Sequence, residues 1–221
     1  MEQVALRKKI IDAGIRLVNE HLVTRSWGNI SVRVNDDEML ITPSGRTYES
    51  LKPEEIVLMN YHTFDYEGKI QPSSEFYLHA FVYQQRKEIN AVIHTHQMNA
   101  TTVAVARREV PPIIDDMVQI IGPSVRVSKY TIAGTKKFAR NAVKALKGRQ
   151  AALLANHGAV CVGRDLDEAF IVAEVLEKAC KAFIEAEFLG GSHAISRVTA
   201  KLMHEVYLRK YSRLKDKNKL S

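Results

Sequence analysis

The sequence predicts an α/β fold: a single domain with a central, mainly antiparallel mixed sheet flanked by helices on both faces. Three observations lead there. Strand-like runs alternate with helical periods along the chain, the pattern of a sheet covered by helices. Several neighbouring strands are joined by tight turns, which parallel pairs cannot use. The 221 residues contain no internal repeat and no long linker, so residues 1–221 fit one domain, with a basic tail from about 209.

Each element follows from local pattern. Val4, Ile10, Ile11, Leu17 and Val18 space an amphipathic helix over 2–20. Residues 29–34 and 38–42 read as a hairpin around Asn35, Asp36 and Asp37. The stretch TPSGRTYESLKPEE is a loop with Pro53 opening a helical turn, followed by a strand at 56–61. A helix is expected from Pro72, capped by Ser73 or Ser74, with Glu75 in its first turn. A strand at 91–96 precedes a helix near 99–106. Val125 to Tyr130 reads as a strand, and Gly134-Thr135 starts a helix to about Leu146. Two strands, 151–156 and 159–163, flank His157-Gly158, then come a long helix over 165–189 and a last one from Ser192 or Ser196.

Composition excludes several classes. No apolar run approaches the roughly 18 residues of a membrane span, and the N-terminus lacks the apolar block of a secretory signal. Cys161 and Cys180 sit among apolar neighbours and read as buried free thiols, which suits the cytoplasm. The net charge of +7 is concentrated: Arg209, Lys210, Arg213, Lys215, Lys217 and Lys219 against Asp216 account for five of the seven excess charges. A nucleic-acid face would spread cations over a folded surface with interleaved aromatics, so this tail reads as a solvated end.

Chemistry concentrates elsewhere. His94 and His96 lie two apart in a strand, so both imidazoles face the same way and can reach one ion. His157 adds a third imidazole at a turn followed by glycine, and Glu75 adds a carboxylate. Three His and one carboxylate suit Zn2+, or Mn2+ or Co2+, better than calcium or magnesium. His21, His62, His79, His193 and His204 lack such neighbours and read as surface or satisfied core residues. Gly28, Asn29, Ser44, Gly45, Ser73 and Ser74 offer close backbone approach and donors, and together can wrap one phosphate.

The ordered series GNIS, ITPSG, PSSEF, VIHTH and NHG resembles the class II aldolase/adducin family over about residues 5 to 180. The resemblance implies a mainly antiparallel sheet between helical layers, assembled as a homotetramer with active sites at subunit interfaces. It implies His94, His96 and His157 as zinc ligands and Glu75 as the carboxylate that binds metal at rest and then acts as base. It also implies that Gly28, Asn29, Ser44, Gly45, Ser73 and Ser74 form the phosphate pocket. The implied reaction is reversible cleavage of a ketose 1-phosphate, of the L-fuculose 1-phosphate type, to dihydroxyacetone phosphate and an aldehyde through a zinc-stabilised enediolate.

The chain departs from the family's aldolases near 113–117. Where they carry a tyrosine that protonates the aldehyde oxygen, this chain carries Asp116, a shorter and more acidic group. Tyr211 is the counterpart of a second tyrosine from a mobile C-terminal tail, with Tyr207 competing. The dehydratase branch, acting on methylthioribulose 1-phosphate, lacks the glutamate that follows the serines, and the 4-epimerase branch has aspartate there. Glu75 therefore favours an aldolase. A non-catalytic adducin-like module would not need a complete ligand set.

Overall fold

The computed structural model describes residues 2–25 and 27–219, with side chains described over 3–25 and 27–210. In chain order the elements are α1 (Glu2–Asn19), β1 (Asn29–Arg33), β2 (Glu38–Ile41), β3 (Val57–Asn60), α2 (Phe76–Gln85), β4 (Ala91–Thr95) and α3 (Met98–Val105). There follow α4 (Asp115–Ile120), β5 (Arg126–Val127), α5 (Lys136–Leu146), β6 (Ala151–Leu154), β7 (Gly158–Gly163), α6 (Leu166–Phe188) and α7 (Arg197–Lys219). One sheet runs β3-β2-β1-β4-β7-β6-β5. All neighbours are antiparallel except β5 and β6. The predicted mixed, mainly antiparallel sheet is therefore present.

Strand alternation sorts the core into two layers. Ile30, Val32, Ile93 and Cys161 pack with Ile10 and Leu17 of α1, Val103 of α3, Met117 of α4 and Leu176 of α6. Met39, Ile41, Val92, Val160 and Val162 pack with Leu78 and Val82 of α2 and Phe138 and Leu146 of α5. The central strands β4 and β7 are buried at every residue, as strands covered on both faces must be. Cys161 and Cys180 are both buried and unpaired, matching the reading of inert core thiols. Among the described residues no helix is long and apolar enough to cross a membrane.

Three helix starts carry a side-chain cap. Thr135 accepts from the Phe138 amide at the head of α5, and Asp165 accepts from the Glu168 amide at the head of α6. Ser196 Oγ accepts from the Thr199 amide at 3.1 Å before α7, as the sequence allows.

Two expectations shift and one element is new. The helix expected from Pro72 begins at Phe76, because 71–73 instead runs extended beside 42–44. The Ser44 amide donates to Gln71 O and the Ser73 amide to Thr42 O, with Pro43 and Pro72 bridged. The strand expected over 125–130 shrinks to β5, an edge strand with one sheet neighbour. The short helix α4 was not anticipated. It follows Pro111-Pro112, with Asp115 and Asp116 in its first turn, where acidic groups favour a helix start.

Candidate metal centre and active site

Register assembles the centre. β1 pairs with β4 so that Asn29 lies opposite His94, and β4 pairs with β7 so that Thr95 lies opposite Ala159. His94 and His96 therefore leave the same face near the strand end, next to the β6–β7 turn that carries His157. Their ring centroids are 4.5 Å apart, and the His157 ring lies 4.9 Å from His94 and 4.7 Å from His96. Two glycines permit this closeness. A Cβ on Gly158 would stand 2.3 Å from Thr95 O, and one on Gly28 (φ +117) would stand 2.8 Å from His94 O.

Glu75 occupies the N-cap position of α2, not its first turn, and this aims its carboxylate at the histidines. Its Oε2 lies 3.1 Å from His94 Nε2 and its Oε1 2.9 Å from His157 Nε2. Ligand atoms of Glu75, His94, His96 and His157 all lie within 4.8 Å of one another, so this group can hold a metal ion.

The donor set fits a cation on its own chemistry. His94 Nδ1–H donates to Ala159 O at 2.7 Å, which turns Nε2 toward the carboxylate. His94 Nε2 is also 3.1 Å from His157 Nε2. A neutral His94 would therefore aim a lone pair at a carboxylate and another imidazole, a crowd of acceptors that positive charge relieves. The electrostatics agree. Burial lowers the His94 pKa, but the charge and hydrogen bond of Glu75 outweigh it and raise the value. Burial likewise pushes the Glu75 carboxyl up, yet His94 and His157 hold it well below the ordinary carboxylate range. His96 is pushed down to about 3, first by burial and then by His94 and His157, which keeps it in the neutral form that ligates metals.

Glu75, His96 and His157 of this group border a cavity of about 590 Å³, with His94 buried behind them. Gly28, Asn29, Ser44, Gly45, Ser73 and Ser74 all line it with Glu75, His96 and His157, so every residue expected in the phosphate pocket faces one space. The extended pairing of 42–44 with 71–73 brings the two serine loops together.

Asp116 lies elsewhere. It stands at the head of α4, in the helical layer across the sheet from α2. There its Oδ2 accepts from Lys178 Nζ at 2.6 Å and its Oδ1 from the Met117 amide at 2.8 Å. Within one chain it does not border the cavity. The side chain of Tyr211 lies outside the described residues. Tyr207, its competitor, is half-buried on α7.

The remaining histidines are surface or satisfied, as read: His204 Nδ1 bonds Gln119 O at 2.7 Å, and His79 is wholly buried and bonded on both ring nitrogens. Sequence reasoning missed Asn156 and Gly134, which also line the cavity. Asn156 adopts φ 55 and accepts from Arg107 Nε at 2.9 Å, a left-handed position that Asn tolerates. Asn directly before His-Gly is the one signal that marks it.

Comparison with known proteins agrees with this architecture. The family described as Class II Aldolase and Adducin N-terminal domain matches residues 8–184. The chain is 34% identical over 185 residues to 5-deoxy-D-ribulose 1-phosphate aldolase of Bacillus thuringiensis, covering 83% of this chain and 86% of that protein. It is also 34% identical over 184 residues to L-fuculose phosphate aldolase of Escherichia coli K12, covering 83% and 85%. A solved L-fuculose 1-phosphate aldolase superposes with a TM-score of 0.87 at 36% identity, covering 91% of this chain and 95% of that one. These relatives are named as aldolases, the aldehyde-lyases of their family. With the fold, the ligand group and the matched length in agreement, this chain belongs to the class II aldolase/adducin family.

Proposed function

We propose that the protein is a zinc-dependent aldolase that reversibly cleaves a ketose 1-phosphate to dihydroxyacetone phosphate and an aldehyde. One observation carries this reading: Glu75, His94, His96 and His157 converge beside the same cavity that Ser44, Gly45, Ser73 and Ser74 line. The relatives that support it are named for ketose 1-phosphates of the fuculose and 5-deoxyribulose kinds.

His94, His96, His157 and, at rest, Glu75 would hold the ion, which when bound supplies a Lewis acid that polarises the ketose carbonyl and offsets developing negative charge. The residues of the chain do the rest. Ser44, Ser73, Ser74 and the backbone at Gly28 and Gly45 receive the phosphate and fix the reacting carbons next to Glu75. In cleavage, the bond between C3 and C4 breaks, the C4 hydroxyl loses its proton as the aldehyde forms, and the electron pair stays with C3. Glu75, which must take up a proton from solvent before this step, then delivers it to C3 and is left as the carboxylate. In condensation Glu75 removes that proton, a role for a carboxylate kept ionised in a buried site. Asp116 is our candidate for exchanging the hydroxyl proton in the assembled protein. Its pairing with Lys178 involves partly exposed groups and is worth only about 0–1 kcal/mol, so it is easily broken.

The test is release of dihydroxyacetone phosphate from a panel of ketose 1-phosphates, with and without a chelator. Chelator-sensitive release is expected. Protein shown to hold zinc that releases none from any member would overturn the aldolase reading in favour of epimerisation or dehydration.

A further inference from the structure

β1 is apolar on one face only. Ile30 and Val32 join the α1 and α6 core, whereas Asn29 and Ser31 point toward α2 among buried polar groups. There Tyr83 OH lies 2.8 Å from Ser31 Oγ, and Ser31 Oγ lies 2.7 Å from His79 Nδ1. His79 Nε2 makes a short bond to Asn29 Oδ1, and Asn29 Nδ2 donates to Glu75 Oε2 at 3.0 Å. Ser31, His79 and Tyr83 are each at most 1% exposed.

Elementary valence gives this chain one direction. A carboxylate only accepts, so Asn29 must present its NH2 to Glu75 and its carbonyl to His79. His79 must then carry its proton on Nε2 to donate to that carbonyl. Its ring is wholly buried and its bonded partners among the described residues are Ser31 and Asn29, neither a carboxylate, so it is neutral and Nδ1 bears a lone pair. Nδ1 must accept from Ser31, and the Ser31 oxygen in turn accepts from Tyr83. Every proton points toward Glu75. The opposite tautomer would set two lone pairs face to face at Asn29, at the cost of a buried unmade bond of about 1–3 kcal/mol.

We propose that His79 is a positioning residue for Glu75: in its Nε2–H tautomer it locks the Asn29 amide, and Asn29 in turn holds Glu75 Oε2, at the end of a one-way chain from Tyr83 through Ser31. This rests on the reading of Glu75 as the base. Among the described residues, Asn29 is the one side-chain donor to the carboxylate that is not itself an expected metal ligand. When Glu75 leaves its resting contacts to handle a proton, Asn29 remains as its pivot. The second Nδ2 hydrogen of Asn29 stays free to face the cavity that Asn29 lines.

Long-range proton–nitrogen correlation on 15N-histidine protein, metal-free and zinc-loaded, reads the tautomer directly. His79 is expected to show an unprotonated Nδ1 and a protonated Nε2. Kinetics of Tyr83→Phe and Ser31→Ala, each lacking one hydroxyl, and of His79→Phe supply the second arm. His79→Phe should lower kcat about 10- to 100-fold, the usual range for residues that orient a metal site from behind. The two hydroxyl variants should lower it less, and KM for the ketose phosphate should stay within about twofold in all three. A proton on Nδ1, or wild-type kcat in folded hydroxyl variants, would overturn the proposal. The tautomer measurement needs no substrate, so a wild-type protein that releases no dihydroxyacetone phosphate would refute the aldolase reading and leave the direction of the chain separately decided.

Discussion

Glu75 and His94 touch each other yet should fail differently when replaced. Glu75→Gln keeps a neutral amide of the same shape beside three imidazoles, so zinc should stay bound. The amide cannot accept a proton from carbon, and turnover should drop by about 10²- to 10⁴-fold. His94→Ala removes a fully buried imidazole, an expected ligand anchored on Ala159 O, and the isolated protein should lose its metal. Metal analysis beside the activity assay separates the two, and full zinc occupancy in His94→Ala would show that His94 is not a ligand. At this scale the sequence was informative where spacing encodes geometry. Strand periodicity predicts that the i, i+2 pair His94 and His96 shares a face, although β4 ends at Thr95 and the His96 amide bonds Leu22 O just beyond it. The sequence showed His79 only as a surface or satisfied core residue, because which nitrogen meets which oxygen is not written in spacing, and it was silent on Gly134, which borders the site from a distant loop.

The β6–β7 hairpin carries His157 on its turn and Gly158 at the first position of its second strand. A Cβ at Gly158 would overlap the Thr95 carbonyl, a backbone atom of a strand buried on both sides that cannot step aside. Gly158→Ala should therefore destabilise the fold by about 1–3 kcal/mol, the usual cost of overpacking, read as a lower denaturant midpoint. An unchanged midpoint would mean that β4 and β7 can separate. Periodicity and turn residues predicted most elements, because hairpins and amphipathic helices are specified by neighbours in the chain. The misses came from longer-range pairing. Nothing local to Pro72 announces that 71–73 will be held beside 42–44, and that pairing is what delays α2 until Phe76 and places Glu75 at its cap.

Large apolar side chains remain exposed on the single chain. Trp27, Met98, Tyr130 and Ile132 are each more than half exposed, and Trp27 borders the cavity. Val198, Leu202 and Val206 form a second stripe, spaced four apart along α7. We propose that these faces meet in a homotetramer. Light scattering should then give about four times the 24.9 kDa chain mass, and Val198→Asp with Leu202→Asp should reduce it. A wild-type monomer would remove the basis for active sites shared between subunits. Charge adds one fact at this scale: the basic excess from Arg209 to Lys219 falls on the last turns of α7.

The two-sided character of β1 has a consequence for the whole population of molecules. The strand works as a reading frame: a slip of one residue would drive Asn29 and Ser31 into the α1–α6 core and strip Glu75 of its pivot at the same moment. Chains in the wrong frame therefore lose their interior and their chemistry together. No well-packed but inert species arises from this error.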